Sequence, residues 1–107
     1  MDQDIDITVV RRGFEITLTG RLDARTATTT RAVLHDAVDS GEGDLVLRVA
    51  GLEIWDAAGL GVLVGAHRRA RRADRRLVLT AVPPRQLRLL RATRLHRVLT
   101  VEPLAVA

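Results

Sequence analysis

The chain contains no cysteine and no lysine, and it has one tryptophan and one phenylalanine among 107 residues. Without cysteine it forms no disulfide, offers no thiol nucleophile and cannot ligate zinc through sulfur. The uncharged stretch from residue 57 to 66 is far shorter than the roughly 20 apolar residues of a membrane-spanning helix. Three scattered histidines (His35, His67 and His96) argue against a metal site. These absences predict a protein without metal, cofactor or membrane insertion.

The beginning of the chain is acidic, with Asp2, Asp4 and Asp6 where an export signal would be basic and then apolar. We therefore expect a cytoplasmic protein. A length of 107 residues, 47% of them apolar and 28% charged, fits one globular domain that spans residues 1–107. A second hydrophobic core would not fit in a chain of this size.

All 17 basic residues are arginine, and they are unevenly distributed. Residues 1–67 contain 6 arginines and 11 acidic residues, whereas residues 68–107 contain 11 arginines and 2 acidic residues. This distribution predicts faces of opposite sign. Such asymmetry suits docking to a charged protein as well as it suits a phosphate backbone.

Apolar periodicity predicts a hairpin followed by alternating helices and strands. Five segments have the alternating or continuous apolar pattern of strands: residues 5–9, 14–18, 44–49, 77–79 and 98–101. Three segments have helical spacing: residues 26–40, 58–73 and 83–92. Residues 50–56 are predicted to form a loop. The order of these elements predicts an α/β domain whose mixed sheet has about five strands, with right-handed crossovers and helices covering mainly one face.

The second predicted helix has Leu60, Leu63, Val64 and His67 at the spacing of one apolar face. Its glycines follow the pattern Gly-x-Gly-x-x-x-Gly from residue 59 to 65, which differs from the dinucleotide-binding pattern Gly-x-Gly-x-x-Gly. Close packing of the helix on the sheet explains these small residues better than a cofactor does.

Three segments of the chain together resemble a known family. They are Gly20-Arg21-Leu22-Asp23, the run Trp55-Asp56-Ala57-Ala58-Gly59-Leu60-Gly61-Val62-Leu63, and residues 83–95 with the closing Val98-Leu99. In this order and spacing they resemble the STAS domain of bacterial anti-sigma factor antagonists, over nearly the whole chain. The resemblance implies a non-enzymatic regulator of transcription that binds an anti-sigma factor with a kinase-like fold and thereby frees a sigma factor.

The resemblance also implies a partner-binding surface, formed by Asp23 and by the loop Asp56, Ala57, Ala58, Gly59 and Leu60. In the family, the partner kinase phosphorylates a hydroxyl residue just before the loop glycine. That position is Ala58 here, and Ala57 precedes it, so neither residue accepts phosphate. Two outcomes stay open: an antagonist that binds constitutively, or a protein that has left the phosphorylation switch and binds something else.

This sequence departs from the family pattern at two further positions. Arg48 stands where the third strand usually carries a polar or acidic residue, and Arg94 replaces a glycine common before the last strand. The fold should tolerate both changes, and their effect should fall on the choice of partner.

The two loop aspartates also have a purely structural interpretation. Asp56 is placed to cap the following helix, and Asp23 to brace the turn after the second strand. Trp55 is either part of the core or an exposed interface anchor. Asparagine ranks with aspartate as a helix cap, so Asp56→Asn is expected to weaken partner binding with little change in stability.

Two other functions remain as alternatives. One is an accessory STAS subunit of a membrane transport complex, which would dock on an ATPase component through the same surface. The other is nucleic-acid binding by the arginines of residues 68–76. The aromatic-poor composition provides no platform for stacking bases, and cations are favourable at a helix C-terminus in any case. We therefore interpret this run as a solvated helix end and expect no nucleic-acid partner.

Overall fold

The computed structural model describes residues 5–105, so the first four and last two residues of the predicted domain lie outside it. The strands are β1 (Ile5–Arg11), β2 (Glu15–Leu22), β3 (Asp44–Ile54), β4 (Arg76–Val82) and β5 (Thr100–Pro103). The helices are α1 (Ala27–Asp39), α2 (Ala57–Arg72) and α3 (Pro84–Ala92), and a 3₁₀ turn (Leu95–Arg97) follows α3.

The five strands form one mixed sheet in the order β1-β2-β3-β4-β5. The pair β1 and β2 is antiparallel, and the other neighbouring pairs are parallel. Each parallel pair is connected through a helix, and three right-handed crossovers that advance in one direction place their helices on the same face. The predicted α/β fold, with its mixed sheet of five strands, is confirmed.

The core lies between that helical layer and one face of the sheet. In β3, Leu45, Leu47 and Val49 are at most 3% exposed, while the intervening Val46 is partly buried and Arg48 is exposed. This alternation is the period of a strand with one covered face. Arg48 lies on the open face, where its guanidinium is 3.6 Å from the carboxylate of Glu15 on β2. The arginine, which stands where the resemblance leads us to expect a polar or acidic residue, is therefore accommodated by a neighbouring acid.

The predicted loop over residues 50–56 is mostly strand, because β3 continues to Ile54. Its second half pairs with the end of β2, from Gly51 opposite Thr19 to Ile54 opposite Leu22, after a register shift. A Cβ at position 51 would lie 3.0 Å from the Thr19 side chain, so the crowded partner strand favours glycine there. The pairing partner, which periodicity within one segment does not reveal, explains why the loop prediction was wrong.

The buried face of α2 differs from the predicted one. Its buried residues are Gly59, Val62, Leu63, Ala66 and Ala70. Leu60, Val64 and His67 are only partly buried. The predicted face did not include Ala66 and Ala70, although small residues allow a helix to lie close to a sheet. Close packing explains Gly59 alone, since a Cβ at residue 61 or 65 would meet nothing within 4 Å.

The end of the chain also differs from prediction. The last strand is Thr100–Pro103 rather than residues 98–101, and Val98 is 49% exposed in the turn before it. Arg94 has a left-handed backbone with a φ of 62°. Glycine adopts this conformation at the lowest cost, and glycine is the residue that the resemblance leads us to expect at this position. At the other end, Val9 is 49% exposed although its alternation with Ile5 and Ile7 predicted burial.

Arg75 was predicted to belong to a solvated basic run, but it is 4% exposed. Its guanidinium donates hydrogen bonds to the carbonyls of Ala37 and Val38 (2.9 Å each), Gly43 (3.0 Å) and Gly13. It thereby connects the hairpin turn, the C-terminus of α1 and the loop before β3. Backbone carbonyls, which have no sequence signature, satisfy this buried cation.

Within residues 5–105, no helix is both long and apolar enough to span a bilayer.

Candidate functional site

The predicted site residues lie at one end of the sheet, where β2 leads into α1 and β3 leads into α2. The carboxyl ends of neighbouring parallel strands lie at the same edge of a sheet, and the loops that follow them are the usual place for binding residues. The backbone N–H of Trp55 donates a hydrogen bond of 3.0 Å to the carbonyl of Leu22. This bond continues the pairing of β2 with β3 as far as the loop. The two loops are therefore held side by side.

Asp56 joins these two loops through both of its carboxylate oxygens. Oδ1 accepts a hydrogen bond from the Gly59 N–H at 3.0 Å, which caps the N-terminus of α2. Oδ2 accepts one from the Ala24 N–H, also at 3.0 Å, on the loop that follows β2. Asp56 is exposed in spite of these bonds. It holds the two loops together while keeping a surface that a partner can contact.

Asp23 is 7% exposed and organises the turn between β2 and α1. Its Oδ1 accepts hydrogen bonds from the Arg25 N–H (2.9 Å) and the Thr26 N–H (3.2 Å). The Thr26 hydroxyl accepts from the Asp23 N–H at 3.0 Å and donates to the carbonyl of Arg21 at 2.9 Å. This reciprocal arrangement closes the turn with local bonds. Asp23 acts from beneath the surface and presents little carboxylate to a partner.

Gly59 marks the closest approach of α2 to the end of β2. A Cβ at this position would lie 2.5 Å from the carbonyl oxygen of Leu22, closer than side-chain carbons come to backbone atoms. The glycine of the Asp-x-x-Gly-Leu-Gly motif is therefore required by packing. It allows the first turn of α2 to reach the loop after β2, where Asp56 connects them.

The first turn of α2 presents a small, apolar surface without hydroxyl groups. Ala57 is exposed, Ala58 and Leu60 are partly exposed, and Gly59 is buried. The turn contains no acidic side chain, and the N-termini of helices favour negative charge. Residues 5–105 contain no group of three or more histidine, cysteine, aspartate or glutamate side chains that could hold a metal ion.

Trp55 is 56% exposed and belongs to the surface rather than to the core. The Arg21 guanidinium lies 4.0 Å from the centre of its ring, a stacked cation–π arrangement. The indole N–H donates to a carboxylate oxygen of Glu53 at 3.4 Å. Tryptophan and arginine are enriched among the residues that anchor protein interfaces. The exposed Trp55, stacked on Arg21 beside the loop, is a pair of this kind.

Two residues that support the site were missed by sequence reasoning. One is Thr26, described above, which was predicted only as part of the helical segment 26–40. The other is Gln86 of α3, which is 5% exposed and whose Oε1 accepts a hydrogen bond from the Ile54 N–H at 3.2 Å. Gln86 thus satisfies the last donor of β3 before the loop. A buried polar residue inside an apolar helix face was the available signal.

Comparison with known proteins identifies the family. A family model described as "Mlab, STAS domain" matches residues 7–102, which include the whole loop and the turn of Asp23. The chain belongs to the STAS domain family. An anti-sigma-B factor antagonist of Staphylococcus aureus is 27% identical to this STAS domain over 101 residues, which cover 94% of each chain.

Solved structures show the same fold. An anti-sigma-factor antagonist (STAS) domain protein of Planctomyces limnophilus superposes with a TM-score of 0.70 at 14% identity, covering 94% of this chain and 91% of its own. The Bacillus cell fate determinant SpoIIAA in its phosphorylated form superposes with a TM-score of 0.65 at 18% identity, covering 91% of this chain and 89% of its own. These similarities confirm the resemblance seen in the sequence and the fold it implied.

Proposed function

We propose that this STAS domain is a non-enzymatic regulator of the anti-sigma factor antagonist type, which acts in the cytoplasm by binding an anti-sigma factor with a kinase-like fold. The geometry of the loop end supports the proposal: Asp56 fixes the first turn of α2 against the loop after β2 through hydrogen bonds of 3.0 Å on both sides. A loop held in one conformation binds without the entropic cost of ordering it.

The surface of this regulator comprises Asp56, Ala57, Ala58 and Leu60, with Asp23 and Gly59 beneath them as supports. Ala58 stands at the phosphoacceptor position and has no oxygen to accept a phosphoryl group. The side chain therefore always resembles the unphosphorylated form. A phosphate would add about −1.5 to −2 charges at this point of the interface and repel the partner. Without it, the domain stays competent to bind.

A charge placed at Ala58 tests this surface. Ala58→Glu is compatible with the N-terminal turn of a helix and should fold, because that position favours a negative side chain. Titration calorimetry against the anti-sigma factors of the source organism should show binding by the unaltered chain and a loss of at least about tenfold in Ala58→Glu, as expected for a charge in an interface. The matched control is Ala32→Glu on the exposed side of α1, which should bind like the unaltered chain.

Phosphotransfer provides an independent measurement. With a partner that has kinase activity and a nucleoside triphosphate, the unaltered chain should gain no phosphate at the loop, whereas Ala58→Ser should be phosphorylated. An Ala58→Ser variant that folds and binds but is not phosphorylated would contradict a kinase-type docking geometry. If none of the anti-sigma factors binds and affinity purification recovers an ATPase component of a transporter, the transport-complex alternative replaces this proposal.

A further inference from the structure

Eight exposed arginines on one side of the domain have no partner. Among residues 5–105, these side chains form no hydrogen bond, ion pair or ring contact: Arg68, Arg71, Arg72, Arg85, Arg88, Arg91, Arg94 and Arg97. Other arginines do pair with acids, as Arg12 does with Asp36, Arg69 with Asp39 and Arg76 with Asp44. We call the eight residues the arginine face.

The topology places these residues on one surface. They belong to the C-terminal half of α2, to α3 and to the turn after it, and both helices lie on the same side of the sheet. Gln86 and Leu90 are the buried residues of α3, so the arginines of that helix point outward. Asp74 is the one acidic residue between positions 57 and 101.

The electrostatics of a neighbouring histidine agree with this placement. Burial lowers the pKa of His67, and the positive charges of Arg71 and Arg68 lower it further. Protein surfaces usually mix both signs of charge, because a field of one sign repels itself. A face of eight unpaired cations therefore matches a ligand whose negative charge is dense and uniform, as in a polyanion.

We propose that the arginine face adsorbs this domain onto an anionic phospholipid surface. Guanidinium groups bind phosphate oxygens through two parallel donors, and each cation near an anionic membrane adds to the attraction. The proposal is independent of the protein-binding surface at the loop. Arg68, Arg71 and Arg72 lie toward the C-terminal end of α2, and the sixteen residues of that helix separate its two ends by about 24 Å, so these three arginines are distant from the loop.

Composition favours a bilayer over a nucleic acid. The arginine face has no aromatic side chain to stack on bases. Val98, 49% exposed beside Arg97, offers an apolar contact suited to a lipid interface.

Sedimentation with lipid vesicles tests the proposal. The unaltered chain should bind vesicles made of equal parts phosphatidylcholine and phosphatidylglycerol, should not bind phosphatidylcholine alone, and should dissociate as salt is added. The variant Arg68→Gln/Arg71→Gln/Arg72→Gln should lose about a hundredfold in affinity, since three cations are removed from the surface. The matched control Arg12→Gln/Arg48→Gln/Arg76→Gln removes the same charge from acid-paired positions and should lose less than about threefold.

Three outcomes would overturn the proposal. The first is no binding to the anionic vesicles at low salt. The second is an equal loss in both triple variants, which would show that net charge alone matters. The third is tight, salt-sensitive binding of a short DNA duplex by a chain that ignores the vesicles, which would assign the arginine face to nucleic acid. Circular dichroism of both variants verifies that they are folded.

Discussion

At the scale of single residues, Asp56 caps its own helix and also accepts a hydrogen bond from a second loop. One carboxylate oxygen caps α2 at Gly59, and the other accepts from Ala24 on a different loop. Both acceptors are used, so the side chain is more constrained than a helix cap that serves its own helix. The equivalence of asparagine and aspartate as helix caps does not apply here, because asparagine has a single acceptor oxygen.

We therefore predict that Asp56→Asn is destabilising. The amide either abandons one of the two hydrogen bonds or points its N–H₂ group at a backbone N–H, so the free energy of unfolding should fall by about 1–3 kcal/mol. Urea denaturation measures this change. The control is Asp36→Asn, which alters an exposed ion pair with Arg12 and should change stability by less than about 1 kcal/mol. Equal stability of Asp56→Asn and the unaltered chain would mean that the second bond contributes nothing.

At the scale of elements, the sequence specified each helix and strand better than it specified their contacts. The alternation in β1 and β2 and the helical spacing of α1 are local signals, and all three elements form, although β1 continues to Arg11 and β2 to Leu22, beyond the predicted ends. The second half of β3 lacks such a signal because a neighbouring strand completes its pairing. The buried face of α2 was misplaced for the same reason: which side of a helix is covered depends on the sheet beneath it.

Arg75 connects several elements, and its replacement tests how much these connections contribute to stability. Arg75→Met keeps much of the side-chain volume but removes the donors that satisfy carbonyls of Gly13, Ala37 and Gly43. The free energy of unfolding should fall by about 3 kcal/mol or more, because the buried carbonyls of Gly13 and Val38 lose a charged donor together with the bonds to Ala37 and Gly43.

Urea denaturation of Arg75→Met and of its neighbour Arg76→Met makes the comparison direct. Arg76 pairs with Asp44 at the surface, where both side chains are largely exposed, so its replacement should cost less than about 1 kcal/mol. Similar losses in the two variants would show that the carbonyl bonds of Arg75 add nothing beyond an ordinary surface arginine.

At the scale of the whole molecule, the excess of arginine affects how stability depends on pH. Burial lowers the pKa of His35 and of His67 below the usual 6.5, and neighbouring arginines lower both further. Arg69 and Arg31 act on His35, where Asp39 opposes them in part. A histidine with a depressed pKa in the folded state binds its proton more readily when unfolded. Its contribution to stability is therefore complete above about pH 6.5 and is lost as the pH falls below that value.

We expect the melting temperature to fall between about pH 7.5 and about pH 5.5, and to fall less in the double variant His35→Gln/His67→Gln, because glutamine does not titrate. Thermal unfolding followed by circular dichroism at the two pH values provides the comparison. Equal pH dependence in the two proteins would assign the acid sensitivity to other groups.

The sequence by itself determined the α/β class, the order of the elements, the STAS resemblance and the absence of a hydroxyl group at Ala57 and Ala58. These depend on local periodicity and on residue identity, which the chain carries directly. The tertiary structure decided that Asp56 bonds two loops, that Arg75 is buried on carbonyls, that Trp55 is exposed and that eight arginines share an unpaired face. Each of these facts depends on which distant segment lies nearby, because hydrogen-bond partners, burial and charge neighbours are properties of packed elements rather than of the residues alone.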